Sequence, residues 1–277
     1  MKENSKNPDG RSGKQSGDEL NDLLPGNDQI REEYIENRKS KIRDFYRNRP
    51  PGQYISGVHN YCDRWCERCR LAYNCLVYVM EDTLNRGEDK AITDAMVLEN
   101  LQASFMATAE MVKEHMEEMG FDLCEIDEEE IEDELRERKD TPDEDALKEM
   151  AEHYARSAHE WLERIYKAKR SSREDIKEAV SVIEWYHIFI AAKIERALCS
   201  RDEEIEPDPI QNDINGSAKI ALLGIKNSLC AWAGLISNES PYEDDAMKNS
   251  LLLCKLKAAM EYRFPDTDKF IRPGFDQ

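Results

Sequence analysis

Long apolar runs are missing from this chain. No window approaches the roughly 18 to 20 apolar residues that a membrane-spanning helix needs. The opening segment, MKENSKNPDGRSGKQSGDELND, lacks the apolar core of a secretory signal. We therefore expect a cytoplasmic protein with no membrane partner, in a compartment where thiols stay reduced.

Basic residues are also scarce. Lysine and arginine number 39 against 59 aspartates and glutamates, which gives a net charge of −20. Nucleic acid repels such a chain unless a local basic patch intervenes, and we find none with interleaved aromatic residues. We therefore expect no nucleic-acid partner. The chain also lacks a P-loop, a G-x-G-x-x-G motif and a nucleophile elbow, so the common nucleotide-binding and hydrolase sites are not predicted.

Glycine and proline are few, at 12 and 10, and they fall between segments with helical periodicity. No run alternates apolar and polar residues between turn signals as a strand would. The sequence therefore predicts an all-α fold, a bundle of about six to eight helices. Residues 1–26, rich in Asn, Asp, Gly, Ser and Lys, are predicted to form a disordered arm, and residues 27–277 a helical domain.

Capping residues and helix-breaking residues give approximate helix boundaries. The helix that starts near residue 172 has apolar residues on nearly every side, which predicts a central place in the bundle. The helix from 93 to 119 has one apolar stripe, predicted to face the core, made of Val97, Leu101, Thr108, Val112 and His115. Helices are predicted at about 27–47, 60–86 (as one helix or a broken pair), 93–119, 142–169, 172–200, 215–236 and 242–263, with an acidic segment at 125–138.

Eight cysteines in a reducing compartment are not expected to form a disulfide framework. Four of them lie close together in the segment 59–78, which contains YCDRWCERCRLAYNCLVY, and their spacing is C-x3-C-x2-C-x5-C. On a helix the first three would share one face, and the fourth would join them only if the chain bends between Arg70 and Asn74. The charged neighbours argue against an ordinary buried stripe of thiols, so we predict a metal site at Cys62, Cys66, Cys69 and Cys75.

The spacing favours one metal centre over another. Thiolates bind both zinc and iron–sulfur clusters, but structural zinc sites usually pair two short ligand sets across a longer gap. Four thiols within one short run resemble the cluster-binding runs of ferredoxins. We therefore expect a 4Fe–4S cluster in a redox or sensing role, served by a redox protein partner, with zinc in an interaction protein as the alternative. Trp65, Tyr61 and Tyr73 could shield a cluster, and His59 could replace one thiolate.

Two further resemblances rest on the same residues. The triplet C-x3-C-x2-C resembles the cluster motif of radical S-adenosylmethionine enzymes over eight residues, but those enzymes are β/α barrels and no strands are predicted here. The segment is also similar, over about 20 residues, to one in uncharacterised bacterial helical proteins that carry YCDRWCERC and a later cysteine. That resemblance implies no activity.

A second candidate metal site lies in EWYH. Glu184 and His187 are three residues apart in an apolar run, and this pair resembles the ligand pair of ferritin-like di-iron bundles. Such a site would imply a metal-dependent oxidoreductase. No second E-x-x-H occurs, so we favour an ion pair for Glu184 and a buried, hydrogen-bonded role for His187. Whether the protein is an enzyme stays open. The other cysteines are predicted to fill the core: Cys124, Cys199, Cys230 and Cys254.

Overall fold

The computed structural model of the chain describes residues 28–49, 52–85, 94–120, 142–169, 176–199, 208–236 and 241–276. These ranges contain seven α-helices and no strand, which confirms the predicted all-α bundle. The predicted arm at 1–26 and the acidic segment at 125–138 lie outside the described residues. The helices are α1 (Asp28–Arg47), α2 (Leu76–Asn85), α3 (Asp94–Met119), α4 (Pro142–Lys167), α5 (Lys177–Cys199), α6 (Asp213–Leu235) and α7 (Glu243–Arg263).

The chain divides into two compact units. Of the described residues, the helix-pair unit holds α1 and α3, and the bundle unit holds the cysteine segment, α2 and α4 to α7. None of the helices in the described ranges is both long and apolar enough to span a bilayer.

In the helix-pair unit, α1 packs against α3. The buried residues of α1 include Ile35, Ile42 and Phe45, whose spacing is that of one helix face. Ion pairs flank this contact, since the Lys39 ammonium lies 2.8 Å from the Glu110 carboxylate. The pairing therefore combines an apolar stripe on α1 with charged contacts at its side.

The stripe predicted to bury α3 is wrong. Val97, Leu101 and Val112 are 45%, 50% and 52% exposed, whereas Ala103 and Ala107 are fully buried. Two alanines one turn apart let the helices approach closely, and close approach favours that face over the larger apolar side chains. A helical wheel that ranks faces by hydrophobicity favours the larger apolar residues, so it does not predict that a face with small residues is buried.

In the bundle unit, α4 to α7 form a closed ring of packed neighbours. Helix α5 packs against α4 and α6, and α7 packs against α6 and α4. Pro142 stands at the first position of α4, where its missing N–H costs no helical hydrogen bond. Asn212 caps α6 by accepting a hydrogen bond from the backbone N–H of Asn215.

The centre of this bundle is aromatic. The Trp161 and Trp232 rings meet edge to face with centroids 4.9 Å apart, and both side chains are buried. The Trp232 indole N–H donates to the Tyr154 hydroxyl at 3.2 Å, which satisfies a polar group in the interior. Apolar residues at helical spacing in the sequence predict one buried stripe on each of α4 and α5. These stripes are buried: Leu147, Ala151, Tyr154, Ala158, Trp161 and Ile165 on α4, and Ile176, Val180, Ile183, His187, Ile190, Ile194 and Ala197 from 176 through α5.

Helix α5 is less central than its apolar composition predicted. Its outer face includes Ile188, which is 62% exposed, and Glu184, which is also exposed. Two other apolar residues beyond the stripe, Trp185 and Val182, are half-buried. Both lie toward the cysteine segment: the Trp185 indole donates to the Asp63 carbonyl, and Val182 lines a cleft with Trp65.

Candidate metal centre

The cysteine segment is not a helix before residue 76, so the helix predicted from 60 is wrong over its first half. Two single turns of 3-10 helix, Cys66–Arg68 and Ala72–Asn74, replace it, and α2 begins only at Leu76. Arg64 adopts a left-handed backbone conformation with φ of 59°. A non-glycine residue in that region is uncommon and breaks a right-handed helix between Cys62 and Cys66.

Each later turn places one cysteine at its end. Cys69 and Cys75 follow the two 3-10 turns with extended backbones, and their N–H groups close those turns on Cys66 and Ala72. The bend predicted between Arg70 and Asn74 coincides with the second turn. It leaves Cys75 immediately before α2, at the positive end of that helix dipole.

All four predicted cysteines line one small cavity of about 20 Å³. Cys62 and Cys75 are buried, and Cys66 and Cys69 are half-buried. Because the segment folds back on itself, thiols that a helix would have spread along its axis now face a shared space. None of the described cysteines is in a disulfide.

Two of these sulfurs take part in hydrogen bonds with the backbone. The Leu71 backbone N–H donates to the Cys69 sulfur at 3.4 Å, and the Cys62 thiol lies 3.5 Å from the His59 carbonyl. An N–H group that points at sulfur stabilises a thiolate and tunes any metal that it ligates. His59 itself does not line the cavity, and burial lowers its pKa.

Two of the thiols, those of Cys62 and Cys66, resist ionisation on their own. Burial raises the pKa of Cys62, and burial together with the neighbouring thiols raises the pKa of Cys66 to about 11. These groups are therefore protonated at neutral pH unless a cation compensates their charge. A metal bound here would displace protons, because thiolate is the ligating form.

The apolar cover of the cavity differs from the one predicted. Trp65 lines it as expected, but Tyr73 is 79% exposed and the Tyr61 ring packs on Phe270. The other aromatic walls are Tyr78 and Phe275. Phe275 comes from the far end of the sequence, so no local pattern identifies it.

A hydrogen-bonded network that the sequence analysis missed fixes Asp63, which lies between the first two cysteines. The Tyr186 hydroxyl donates to the Asp63 carboxylate at 2.6 Å, and the Asn227 amide donates to that hydroxyl at 2.9 Å. The Trp185 indole donates to the Asp63 backbone carbonyl at 2.8 Å. Both α5 and α6 therefore hold the loop that carries Cys62.

Aromatic stacking fixes Trp65, which lies two residues after Asp63. Trp65 stacks on Trp185 with ring centroids 5.0 Å apart and an interplanar angle of 16°. The Arg68 guanidinium lies over the Trp65 ring, 3.8 Å from its centroid, and also donates to the Glu178 carboxylate at 3.1 Å. Trp65 thus contacts both an indole and a cation.

A segment near residue 275 closes the cysteine segment from the other side. The Arg70 guanidinium donates to the carbonyl of Phe275 at 2.7 Å and to that of Gly274 at 3.4 Å. Gly274 has φ of 72°, and a side chain there would meet Ile55 at 2.7 Å, so only glycine fits this close approach.

Of the pair Glu184 and His187, only His187 takes the buried, hydrogen-bonded position that was predicted, and Glu184 does not form the predicted ion pair with any residue of the described ranges. Glu184 is exposed and accepts a hydrogen bond from the Tyr166 hydroxyl, whose pKa burial and this bond raise to about 12. His187 is buried, with Nδ1 at 2.8 Å from the Glu184 backbone carbonyl and its ring stacked on His159 at 5.8 Å. Among the described side chains, the buried His187 Nε2 has no hydrogen-bond partner.

Over the described part of the chain, no group of three or more His, Cys, Asp or Glu side chains is placed to hold a metal ion, and this includes the four thiols that line the cavity. Two of the cysteines predicted to fill the core do not do so, since Cys230 and Cys254 are exposed. Cys199 is half-buried near the Glu195 carboxylate. Cys124 lies outside the described residues.

Comparison with known proteins adds no relative to this picture. No family model, no curated protein and no solved structure matches the chain.

Proposed function

We propose that this protein holds a 4Fe–4S cluster on Cys62, Cys66, Cys69 and Cys75 and uses it in a redox or sensing role. The observation that carries the proposal is that all four thiols line a single cavity in a segment without regular helix. Four cysteine thiolates are the usual ligand set of such a cluster. When bound, the cluster would supply reversible one-electron transfer.

The surroundings of the thiols support this donor set. Trp65, Tyr78 and Phe275 cover the cavity with apolar surface, which limits solvent access and so helps to set a cluster's potential. The N–H donor to Cys69 and the guanidinium of Arg64 at the cavity wall offset negative charge on thiolates. The Tyr186 hydroxyl donates to the Asp63 carboxylate, which helps to fix the loop that carries Cys62.

Zinc is the second candidate, and the size of the cavity favours it. A space of about 20 Å³ exceeds the roughly 10 to 15 Å³ that one water requires, so its volume suits one ion, although the thiols would have to move to ligate it. In that case the zinc would stabilise the cysteine segment for contact with a partner, and the site would have no redox role.

Metal analysis on protein purified without air separates these candidates. We expect about four irons and four acid-labile sulfides per chain, with broad visible absorption. Cys66→Ser should lose both, whereas Cys254→Ser, at an exposed cysteine outside the segment, should keep both. The far-ultraviolet circular dichroism of each variant controls for loss of the helical fold.

The outcomes are distinct. One zinc and no iron per chain, lost in Cys66→Ser, would replace the cluster with the structural zinc site. Iron retained in Cys66→Ser at the level of the Cys254→Ser control would overturn the proposal. If reducing agents leave the spectrum of the iron-containing protein unchanged over the accessible range of potential, the redox role fails even with a cluster present.

A further inference from the structure

A cleft of about 580 Å³ lies beside the cysteine cavity and is distinct from it. Helices α5 and α6 form its sides, and the cysteine segment forms its end. Its volume falls within the roughly 300 to 1,000 Å³ that is typical of sites for small organic molecules. The proposed metal centre makes no use of this space, although Asp63 and Trp65 contribute to the walls of both cavities.

Small side chains keep the cleft open. Ala231 and Gly234 lie about one turn apart on α6, and Ala179 and Val182 face them from α5. A Cβ built on Gly234 meets no atom within 4 Å, so this helix position borders open space. A glycine inside a helix lowers stability relative to alanine. No packing contact among the described residues requires a glycine at position 234.

The inner end of the cleft is polar and rigid. It consists of the Asn227–Tyr186–Asp63 network, in which each group donates to the next and the series ends on a carboxylate. The Asp63 carboxylate accepts two hydrogen bonds, from Tyr186 and from the Trp65 backbone N–H. A carboxylate offers about four acceptor sites, so capacity for a further donor remains.

The charge of the lining selects between ligand classes. Asp63 and Glu178 are acidic and Arg68 is basic, so the ionisable groups of the cleft carry a net charge of −1. The guanidinium is already engaged, by Glu178 and by the face of Trp65. An anionic ligand would therefore face an uncompensated carboxylate, whereas a cationic one would be attracted to it.

We propose that this cleft binds a small organic cation, a molecule with an apolar body and an amine head. The body lies along Val182, Ala231 and Gly234, and the ammonium group reaches the carboxylate of Asp63.

Cys230 provides a direct readout, because its thiol is exposed and lines the cleft. The experiment measures the rate at which N-ethylmaleimide alkylates Cys230 in the purified full chain, by peptide mass spectrometry. The probe is 2-phenylethylamine, and 3-phenylpropionate at equal ionic strength is its anionic counterpart. Cys254, exposed on α7 and not part of the cleft, is the internal reference in every sample.

We expect 2-phenylethylamine to slow alkylation of Cys230 saturably, by roughly tenfold at ten times its Kd, with no effect on Cys254. The carboxylate probe should have little effect on either thiol. Gly234→Leu should abolish the protection by filling the cleft, while Ala233→Leu, at the adjoining exposed position outside the cleft, should preserve it. Glu178→Gln should weaken the binding of 2-phenylethylamine by up to roughly fivefold.

Four results would overturn the proposal. Equal protection by both probes would show that the cleft binds apolar bodies without regard to charge. Stronger protection by the carboxylate would assign the site to anions. Protection by neither probe, or protection that survives Gly234→Leu in a variant with unchanged thermal stability, would show that amines do not bind in this cleft.

Discussion

Tyr186→Phe tests whether the network around Asp63 orders the cysteine loop. The substitution removes one oxygen and leaves the ring, so the packing of Tyr186 against Trp65 is kept. What is lost is the 2.6 Å hydrogen bond to the Asp63 carboxylate and the bond from the Asn227 amide. Because Tyr186 is only 2% exposed, water cannot readily replace the hydroxyl.

The magnitude follows from the type of bond. A hydrogen bond to a charged group contributes about 1.5 to 3 kcal/mol, and one between neutral groups about 1 kcal/mol. Asn227 and Asp63 are only half-buried, so water replaces part of the stabilisation that each lost hydrogen bond provided. We therefore expect the free energy of unfolding to fall by about 2 kcal/mol.

The assay is urea denaturation, followed by circular dichroism and by tryptophan fluorescence. The matched control is Tyr166→Phe, which removes a hydroxyl that bonds to the exposed carboxylate of Glu184. That change should cost less than about 0.5 kcal/mol, because water replaces the lost partner. An equal loss in both variants, or a loss below about 0.5 kcal/mol in Tyr186→Phe, would refute the ordering role of the network.

Three further predictions concern the bundle unit. Burial lowers the pKa of His187 below 6.5, so the unfolded chain binds more protons at mildly acid pH. The free energy of unfolding should therefore fall as pH drops through about 6.5 toward the folded-state pKa, and His187→Gln should flatten this dependence in denaturation series at several pH values. Gly216→Ala should lower the free energy of unfolding by about 1 to 3 kcal/mol, because its Cβ would lie 2.3 Å from the Tyr61 ring. Gly234→Ala, which meets open space, should raise it by up to about 1 kcal/mol in the same assay; destabilisation there would contradict the packing described.

The sequence was sufficient where local signals determine the structure. Pro142 at the start of α4 and Gly120 after α3, with φ of 78°, mark helix boundaries that backbone sterics impose. The buried stripe of α4 followed from periodicity, because Tyr154 and Trp161 leave little doubt about which face is apolar. These features need no knowledge of distant residues.

The cysteine segment shows where such signals fail. Spacing of four and three residues between cysteines is compatible with a helix, and neither glycine nor proline interrupts it. Its conformation depends instead on Trp185 and Tyr186, which lie more than 120 residues away and fix Asp63 by hydrogen bonds. The sequence identifies the four cysteines as candidate ligands. Their arrangement depends on contacts with residues that are distant in the sequence, so a short stretch of sequence does not predict it.

The closure of the cysteine cavity by Phe275 has a consequence for synthesis on the ribosome. Arg70 and Phe275 are separated by 205 residues, and translation at roughly 5 to 20 residues per second takes on the order of 10 to 40 seconds to cover that distance. Throughout this interval the four thiols have emerged while one wall of their cavity has not. A nascent chain therefore passes through a stage in which metal donors, and oxidants, reach these cysteines more easily than they do in the finished protein.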